Sequence, residues 1–297
     1  MIDNKKLTLN FSSRIGLFIC TAIIGFFITS ITSVIITYAW GINTPSLRIS
    51  TILQNLFLFI APTIITAIFI TKLPADFLQL RKCPSIKFFI LTIVILILSV
   101  PAMNFIVHCN ESIVFPESMK TIESTLKAME ETSREQIKIL LGEPTIGSLV
   151  ISIFIVGLLT GLGEELFFRG GLQNILCTKP SNPHKAIWIT AIIFSAMHFQ
   201  FYGFIPRVLL GAFFGYLAYW SGSIWLPIFA HALNNSLVVI STWLISRNTM
   251  DIDINKIGTD LSIESYILIV ISAIATTIGT IILYRYSKQH GHLKALK

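Results

Sequence analysis

Long apolar stretches, separated by short polar segments, follow one another along almost the whole chain. A helix that spans a bilayer needs about 20 mainly apolar residues. Stretches of that kind lie at 15–40, 49–71, 87–107, 146–169, 186–204, 205–221, 224–245 and 264–286. Because lipid cannot satisfy open backbone hydrogen bonds, each stretch is predicted to be helical. The pattern therefore predicts an all-α fold, a polytopic membrane helix bundle of about eight transmembrane helices.

Differences in polarity divide the chain into four predicted regions. These are an N-terminal three-helix membrane region at 1–108, an extracytoplasmic connector at 109–144, a core with polar residues at 145–245, and a last helix with a basic tail at 246–297. Within the connector, apolar residues recur at helical spacing, at Met119, Ile122, Leu126 and Met129. The connector is therefore predicted to contain an amphipathic helix on the outer membrane surface, either as a solvated link or as a lid over a substrate.

Composition and charge support the membrane interpretation. Hydrophobic residues make up 54% of the chain, charged residues only 12%, and the mean hydropathy is +0.76. A soluble domain carries roughly 25% charged residues, so an ordinary soluble enzyme is excluded. The net charge of +7 does not indicate a nucleic-acid partner, because the basic residues cluster at the ends of the apolar stretches, as membrane topology requires.

The distribution of charge also predicts the orientation. With eight spans, one side of the membrane receives the basic residues Lys5, Lys6, Arg14, Lys72, Arg81, Lys82, Lys87, Lys179, Lys185, Arg285, Lys288, Lys294 and Lys297. The opposite side receives the acidic residues Glu111, Glu117, Glu123, Glu130, Glu131, Glu135, Asp251, Asp253 and Asp260. The positive-inside rule makes the basic side cytoplasmic. Both termini are therefore predicted to be cytoplasmic, with the protein in the plasma (inner) membrane.

Several strongly polar residues interrupt the fourth, fifth and seventh apolar stretches. They are Glu164, Glu165 and Arg169 in the fourth, His198 in the fifth, and His231 and Asn235 in the seventh. An ionisable residue within a bilayer costs about 2.5–3.5 kcal/mol on insertion scales, so such residues usually face a partner or a wet cavity. Glu165 and Arg169 are at i and i+4 and can pair on one helix face. The economical arrangement then gathers the remaining residues, Glu164, His198, His231 and Asn235, around one small hydrated cavity.

This set of side chains fits the hydrolysis of an amide by activated water. A carboxylate and an imidazole that hold one water form a general-base unit, for which Glu164 and His198 are candidates. The attack builds an oxyanion, and N–H donors from His231 and Asn235 could be aimed at it from one helix face. No serine or cysteine in these stretches has an obvious base beside it, which disfavours a covalent nucleophile.

A metal site is the competing interpretation of the same residues. Glu164, His198 and His231 could bind Zn²⁺ with water in the fourth position. The His-Glu-x-x-His spacing of helical zinc sites does not occur in the chain. Activated water without a metal is therefore favoured, no cofactor is firmly predicted, and Zn²⁺ stays an alternative. A purely structural polar network is disfavoured by the number of polar residues in three neighbouring helices.

The polar residues match the three motifs of a known family. Glu164, Glu165 and Arg169 resemble the Glu-Glu-x-x-x-Arg motif of the CAAX protease and bacteriocin-processing family, also called CPBP or Abi. Phe194 and His198 resemble its second motif, and His231 and Asn235 resemble its third. The three motifs occur in order within 145–245, the region that the resemblance makes the catalytic core.

The resemblance implies a multi-helix membrane endopeptidase, similar to type II CAAX prenyl proteases and often labelled a metalloprotease. It implies that Glu164 and His198 activate water and that His231 and Asn235 form the oxyanion site. Glu165, Arg169 and Phe194 become supporting residues. The expected partners are membrane lipid and a peptide or protein substrate, with or without a lipid modification. A binding or immunity protein that does not cleave, and a proton-coupled transporter, stay open as alternatives.

Overall fold

A computed structural model describes residues 8–178, 182–247, 257–260 and 262–290. Those residues form α1 (Phe11–Trp40), α2 (Thr44–Ile70), α3 (Pro74–Phe77), α4 (Ile86–Glu111), α5 (Lys120–Leu141), α6 (Ile146–Cys177), α7 (Pro183–Ala196), α8 (Phe204–Ser221), α9 (Trp225–Ser246) and α10 (Ile263–His290), with no β-strand among them. Seven of these helices are long and apolar enough to cross a membrane: α1, α2, α4, α6, α8, α9 and α10. The predicted all-α membrane bundle is confirmed, and the chain is an integral membrane protein.

The fifth predicted span differs from the structure in its extent. A helix over 186–204 was expected, but α7 has 14 residues and ends at Ala196. At 1.5 Å per residue it is about 21 Å long, shorter than the hydrocarbon core of about 30 Å. The chain continues through the segment 197–203, which is irregular up to a 3₁₀ turn at Phe201–Gly203. The Phe201 carbonyl accepts a hydrogen bond of 3.2 Å from Asn110 at the end of α4. This crossing therefore combines a short helix with irregular backbone, which neighbouring protein groups satisfy.

Contacts between helix ends place both described termini at one end of the bundle. The backbone N–H of Thr8, before α1, donates to Ile70 at the end of α2. Ser85, before α4, lies 2.9 Å from the Tyr286 hydroxyl near the end of α10. Ile224 N–H donates to Gln79 C=O, which joins the start of α9 to the same end. This arrangement agrees with an even number of crossings, and the cytoplasmic assignment of that end stays a prediction from charge.

Some of the residues on which that prediction depends cannot be placed. Lys5, Lys6, Lys179, Asp251, Asp253, Lys294 and Lys297 lie outside the described residues. The connector residues are described, and most of them form α5, which lies at the end of the bundle opposite the described termini. The side chain of Arg48, near the start of α2, holds the last turn of α5 there, with hydrogen bonds of 3.1 Å to Leu140 C=O and 2.9 Å to Leu141 C=O.

Two apolar clusters hold the bundle together on either side of its polar residues. The first joins α1, α2, α6 and α7 and is rich in phenylalanine rings in tilted and edge-to-face contact: Phe18, Phe59, Phe167, Phe168 and Phe194. The second joins α4, α8, α9 and α10 through Phe88, Phe214, Leu217, Leu226 and Leu283. The polar residues of α6 and α9 lie between these clusters, so water reaches them only where the packing leaves an opening.

Candidate active site

Small residues let the first and third motifs approach each other. A Cβ atom on Gly161 of α6 would lie 3.0 Å from the backbone nitrogen of Ala232 on α9, and one on Gly157 would lie 2.3 Å from Ser236 Oγ. Glycines four residues apart therefore remove the side chains that would separate the two helices. This close approach brings the acidic residues of α6 against His231.

Two further glycines, Gly211 and Gly215, let α8 pack closely against α7. A Cβ atom on Gly211 of α8 would lie 3.0 Å from Phe194 Cδ1 and 3.4 Å from Ala191 Cα, both on α7. A Cβ atom on Gly215 would lie 2.8 Å from Ile187 Cγ2 on the same helix. The packing holds α7 and the second-motif phenylalanine directly against α8, which also faces the polar residues of α6.

Glu165 is the centre of a buried charged network. Its Oε1 accepts hydrogen bonds of 2.7 Å from Arg169 Nη1 and 2.8 Å from His231 Nδ1. The side chains of Glu165 and Arg169 are both 0% exposed. The predicted pairing of Glu165 with Arg169 is confirmed, whereas its bond to His231 was missed, because the i and i+4 rule describes contacts within one helix only.

Aromatic rings enclose the Arg169 guanidinium. Its Cζ lies 4.8 Å from the ring centroid of Phe194 and 5.6 Å from that of Phe214, and Nη2 donates to Gly211 C=O at 2.7 Å. Ring faces attract a cation, and the attraction is stronger where water is excluded. Phe194 also lies beside both motif histidines, with centroid distances of 5.0 Å to His198 and 5.9 Å to His231. The second-motif phenylalanine is therefore a wall shared by the whole polar cluster.

Glu164 faces the other nitrogen of the same imidazole. Its Oε2 lies 3.8 Å from His231 Nε2, which is too long for a hydrogen bond. The residue is 8% exposed, and Oε2 has no hydrogen-bond partner among the described residues. The two adjacent acids thus face the same imidazole, each on a different ring nitrogen.

His198 lies just beyond the end of α7. Its Nδ1 is 2.8 Å from the Phe194 carbonyl, which can only accept, so Nδ1 carries the hydrogen and Nε2 keeps a free lone pair. The charge of Glu164 acts on this imidazole, as do the charges of His231 and Arg207. His198 is partly exposed, so a substrate or water can reach it.

Asn235 lies one turn beyond His231 on the face of α9 that meets α6. Its Nδ2 donates to Val156 C=O at 3.1 Å, which uses one of its two amide hydrogens. The neighbouring Asn234 Nδ2 is 3.5 Å from Asn235 Oδ1. The structure therefore places Asn235 beside the first motif through α6 backbone, with one N–H left for another acceptor.

Sequence reasoning missed Asn55, which is 1% exposed. Its Nδ2 donates to Thr51 C=O at 2.9 Å and to Thr160 Oγ1 at 3.3 Å. A Cβ atom on Gly163 would lie 2.5 Å from its Oδ1, so the amide packs against the turn that carries the two acids. Its position as a polar amide within the second apolar stretch was the available signal.

The zinc alternative was tested against the positions of possible ligands. Within the part of the chain that the structure describes, no group of three or more histidine, cysteine, aspartate or glutamate residues is arranged to hold a metal ion. Glu164 and His231 come together, but the third predicted ligand, His198, does not complete a site with them. The arrangement therefore does not fit the zinc site considered from the sequence, and no chemical step is assigned to a metal.

Backbone geometry around the first motif is also unusual. The stretches Ile153–Leu159 and Leu166–Gln173, on either side of Thr160–Glu165, are π-helical, as is Asn55–Ile60 in the facing helix α2. Such stretches are rare and occur frequently at functional sites. Their position next to both acids agrees with a site at this part of α6.

Comparison with known proteins supports the motif assignment. Residues 146–237, which include all three motifs, match the model of the family described as type II CAAX prenyl endopeptidase Rce1-like. The protein YpbD of Bacillus subtilis (strain 168), described as uncharacterized, is 30% identical over 83 residues, which is 27% of this chain and 39% of YpbD. No solved structure matches the chain. The resemblance predicted from the motifs is confirmed, since across residues 146–237 the chain matches the Rce1-like type II CAAX prenyl endopeptidase family.

Proposed function

We propose that this protein is an intramembrane endopeptidase of the CAAX-protease type, which hydrolyses a peptide bond with activated water. The observation that carries the proposal is the placement of Glu164 and Glu165 on opposite nitrogens of His231, at 3.8 Å and 2.8 Å. Glu165 Oε1 accepts hydrogen bonds from Arg169 and His231, whereas Glu164 Oε2 accepts none from the described residues and is available to take up a proton. The charge of Glu165 is thereby paired with that of Arg169, and no described arginine pairs with Glu164.

Glu164 and His198 are proposed to activate the water. Glu164 Oε2 accepts a proton from the water while the water oxygen bonds to the carbonyl carbon of the substrate. The lone pair of His198 Nε2 orients the water, since Nδ1–H is held by Phe194 C=O. The same proton then passes to the leaving amine as the C–N bond breaks. General-base catalysis of this kind contributes roughly 10²–10⁴-fold to a rate.

His231 and Asn235 are proposed to stabilise the oxyanion. Asn235 has one amide hydrogen left after its bond to Val156 C=O. Because His231 Nδ1–H is used by Glu165, its Nε2 can donate to an oxyanion only while both ring nitrogens carry hydrogen. Arg169 would support this arrangement indirectly, by holding Glu165 in place.

The substrate is proposed to be a peptide or protein that reaches the site from the membrane, with or without a lipid modification. The site lies within the bundle, and exposed apolar residues flank His198. Phe199, which follows His198, is 71% exposed, and Met197 is 38% exposed. Prenylated CAAX peptides are the probe to use first, because the matching family is described by that activity.

The test compares wild type with Glu164→Gln and His198→Ala in nanodiscs, using a fluorescent prenylated CAAX peptide. Peptide termini from native membranes, analysed by mass spectrometry, serve as a second and unbiased substrate source. We expect both variants to lose at least about 100-fold in cleavage rate while inserting normally. Glu117→Gln is the matched control, since that side chain is 83% exposed and pairs with Lys120, outside the three motifs.

The outcomes separate the alternatives. Cleavage at the wild-type rate by both variants would refute the proposal. Toxin protection that survives Glu164→Gln, without new peptide termini, would favour a binding or immunity protein. Proton-coupled flux in proteoliposomes that depends on Glu164 would favour a transporter.

A further inference from the structure

Arg207 is a basic residue in the first turns of α8 that the proposed chemistry does not use. A guanidinium within a bilayer protein is costly unless it is paired, so its partners are informative. Its Nη2 donates to Gln200 Oε1 at 2.9 Å, and Nη1 lies 3.5 Å from the Gln200 carbonyl. Arg207 therefore holds one residue by both its side chain and its backbone.

Gln200 belongs to the segment 197–203, which also carries His198. Backbone bonds from Met197, His198 and Phe199 join its first residues to the end of α7, but Gln200 lies beyond these bonds and before the 3₁₀ turn Phe201–Gly203. Side chains from other elements hold this later part: Asn110, 2% exposed, donates to Phe201 C=O at 3.2 Å and accepts from Ile205 N–H at 2.9 Å. Gln200 Nε2 donates to Ser133 Oγ of α5 at 2.7 Å. The segment that carries the histidine is therefore held by a small set of polar bonds, in which Arg207 engages the residue two positions away.

Arg207 interacts electrostatically with Glu130 on α5, Glu164 on α6 and His198. Glu130 also lies 3.6 Å from Arg134 within α5. The charge of Arg207 therefore acts both on the connector helix and on the two residues proposed to activate water.

We propose that Arg207 is a positioning residue, which holds Gln200 so that His198 stays beside Glu164 and which fastens the connector helix α5 next to the site. The inference rests on the proposed function for its catalytic consequence. Helix α5 needs such a fastening, because none of the described residues Lys120–Leu141 is fully buried and polar contacts hold it in place.

Gly203 offers a way to move Arg207 without removing its charge. A Cβ atom on Gly203 would lie 2.5 Å from Arg207 Nη2, the end of a flexible side chain. The Gly203 φ of −110° is accessible to other residues, so alanine introduces no backbone strain there. Gly203→Ala should therefore displace the guanidinium from Gln200 and leave the fold intact.

The kinetic test uses Arg207→Met, Arg207→Lys and Gly203→Ala with the fluorescent prenylated peptide. We expect Arg207→Met to lower kcat by about tenfold or more while KM changes less than about twofold, since small misplacements of catalytic groups are costly. Gly203→Ala should give the same pattern, and Arg207→Lys should recover part of kcat. Arg81→Met is the matched control. The Arg81 side chain is 64% exposed and pairs with Asp76 at the other end of the bundle. A wild-type kcat in Arg207→Met and in Gly203→Ala would overturn the proposal.

A cross-linking test reads the position of the segment without activity. Phe115→Cys in the connector and Phe201→Cys in the segment are combined, because their rings lie 5.1 Å apart and neither side chain makes the polar contacts under test. The exposed thiols are replaced by serine at Cys20, Cys83 and Cys109. A short bis-methanethiosulfonate reagent should link the two new thiols efficiently, and adding Arg207→Met or Gly203→Ala should lower the yield at least about threefold. Unchanged yield in both overturns the positioning role, whatever the activity. Lowered yield in a protein whose wild type cleaves no peptide would support the positioning role and refute the proposed function.

Discussion

Replacing Arg169 by methionine should destabilise the protein strongly, because it leaves a buried charge without its main partner. Arg169 and Glu165 are both 0% exposed and their closest atoms are 2.7 Å apart. Removing one member of such a pair costs about 3–5 kcal/mol. The Gly211 carbonyl also loses its donor, a contribution of about 1–3 kcal/mol that overlaps with the first. We expect a total loss of about 3–5 kcal/mol in the free energy of unfolding.

The double variant Glu165→Gln with Arg169→Met makes the reasoning specific. It removes both charges, and a glutamine carbonyl at position 165 can still accept the hydrogen bond from His231 Nδ1. The double variant should therefore be more stable than Arg169→Met alone, by about 1–3 kcal/mol of coupling energy. The assay is denaturation in mixed micelles, followed by tryptophan fluorescence at constant detergent composition.

Two results would refute this account of the pair. One is a loss below about 1 kcal/mol in Arg169→Met, the range of an exposed ion pair. The other is a double variant whose loss equals the sum of the two single losses, since contacting charges should couple. Arg81→Met supplies the exposed reference, because the Arg81–Asp76 pair is 64% and 44% exposed at the two side chains.

Three further predictions follow from the packing and the topology. Gly161→Val should destabilise the bundle by about 1–3 kcal/mol and abolish cleavage, because its side chain would meet the Ala232 backbone. Gly147→Val should do neither, because the space around Gly147 is open. Equal effects of the two variants in the micelle and peptide assays would contradict this. Arg48→Met should free the end of α5, because it removes the hydrogen bonds to Leu140 C=O and Leu141 C=O, a loss of about 1 kcal/mol. Amide hydrogen exchange over 138–145 should become at least about fivefold faster, and unchanged exchange would show that these bonds do not hold α5. A reporter fused to the C-terminus should read as cytoplasmic, and an extracytoplasmic signal would refute the predicted orientation.

The helices and the pairing within them could be predicted from the sequence, because lipid leaves the backbone few alternatives. The i and i+4 spacing correctly paired Glu165 with Arg169 and placed His231 and Asn235 on one face. The end of α7 at Ala196 could not be predicted, since the residues that follow it are also largely apolar. Hydropathy measures how apolar a residue is. It does not distinguish an apolar helix from an apolar segment of irregular backbone inside the protein.

Contacts between helices were the part that spacing could not provide. The bond from His231 to Glu165 depends on how closely α6 and α9 approach, and that distance is set by Gly161 against Ala232. Asn55 joins the site for a similar reason, because Gly163 leaves room for its amide. In both cases the close approach depends on a glycine. The sequence shows the glycine, but it does not show which residue of the other helix packs against it.

Two adjacent glutamates can have opposite roles here because one imidazole has two nitrogens. Glu165 binds Nδ1 and is held by Arg169, so its charge is balanced and its Oε1 accepts two hydrogen bonds. Glu164, at the preceding position, faces Nε2. It forms no ion pair with an arginine, and its Oε2 has no hydrogen-bond partner, among the described residues. The carboxylate that is paired with the arginine orients the ring, whereas the one without an arginine is proposed to take up a proton. An arginine that paired with Glu164 in the same way would have to lie four residues later, at position 168. The chain has a phenylalanine there. The arginine at position 169 therefore decides which glutamate is left to act as the base.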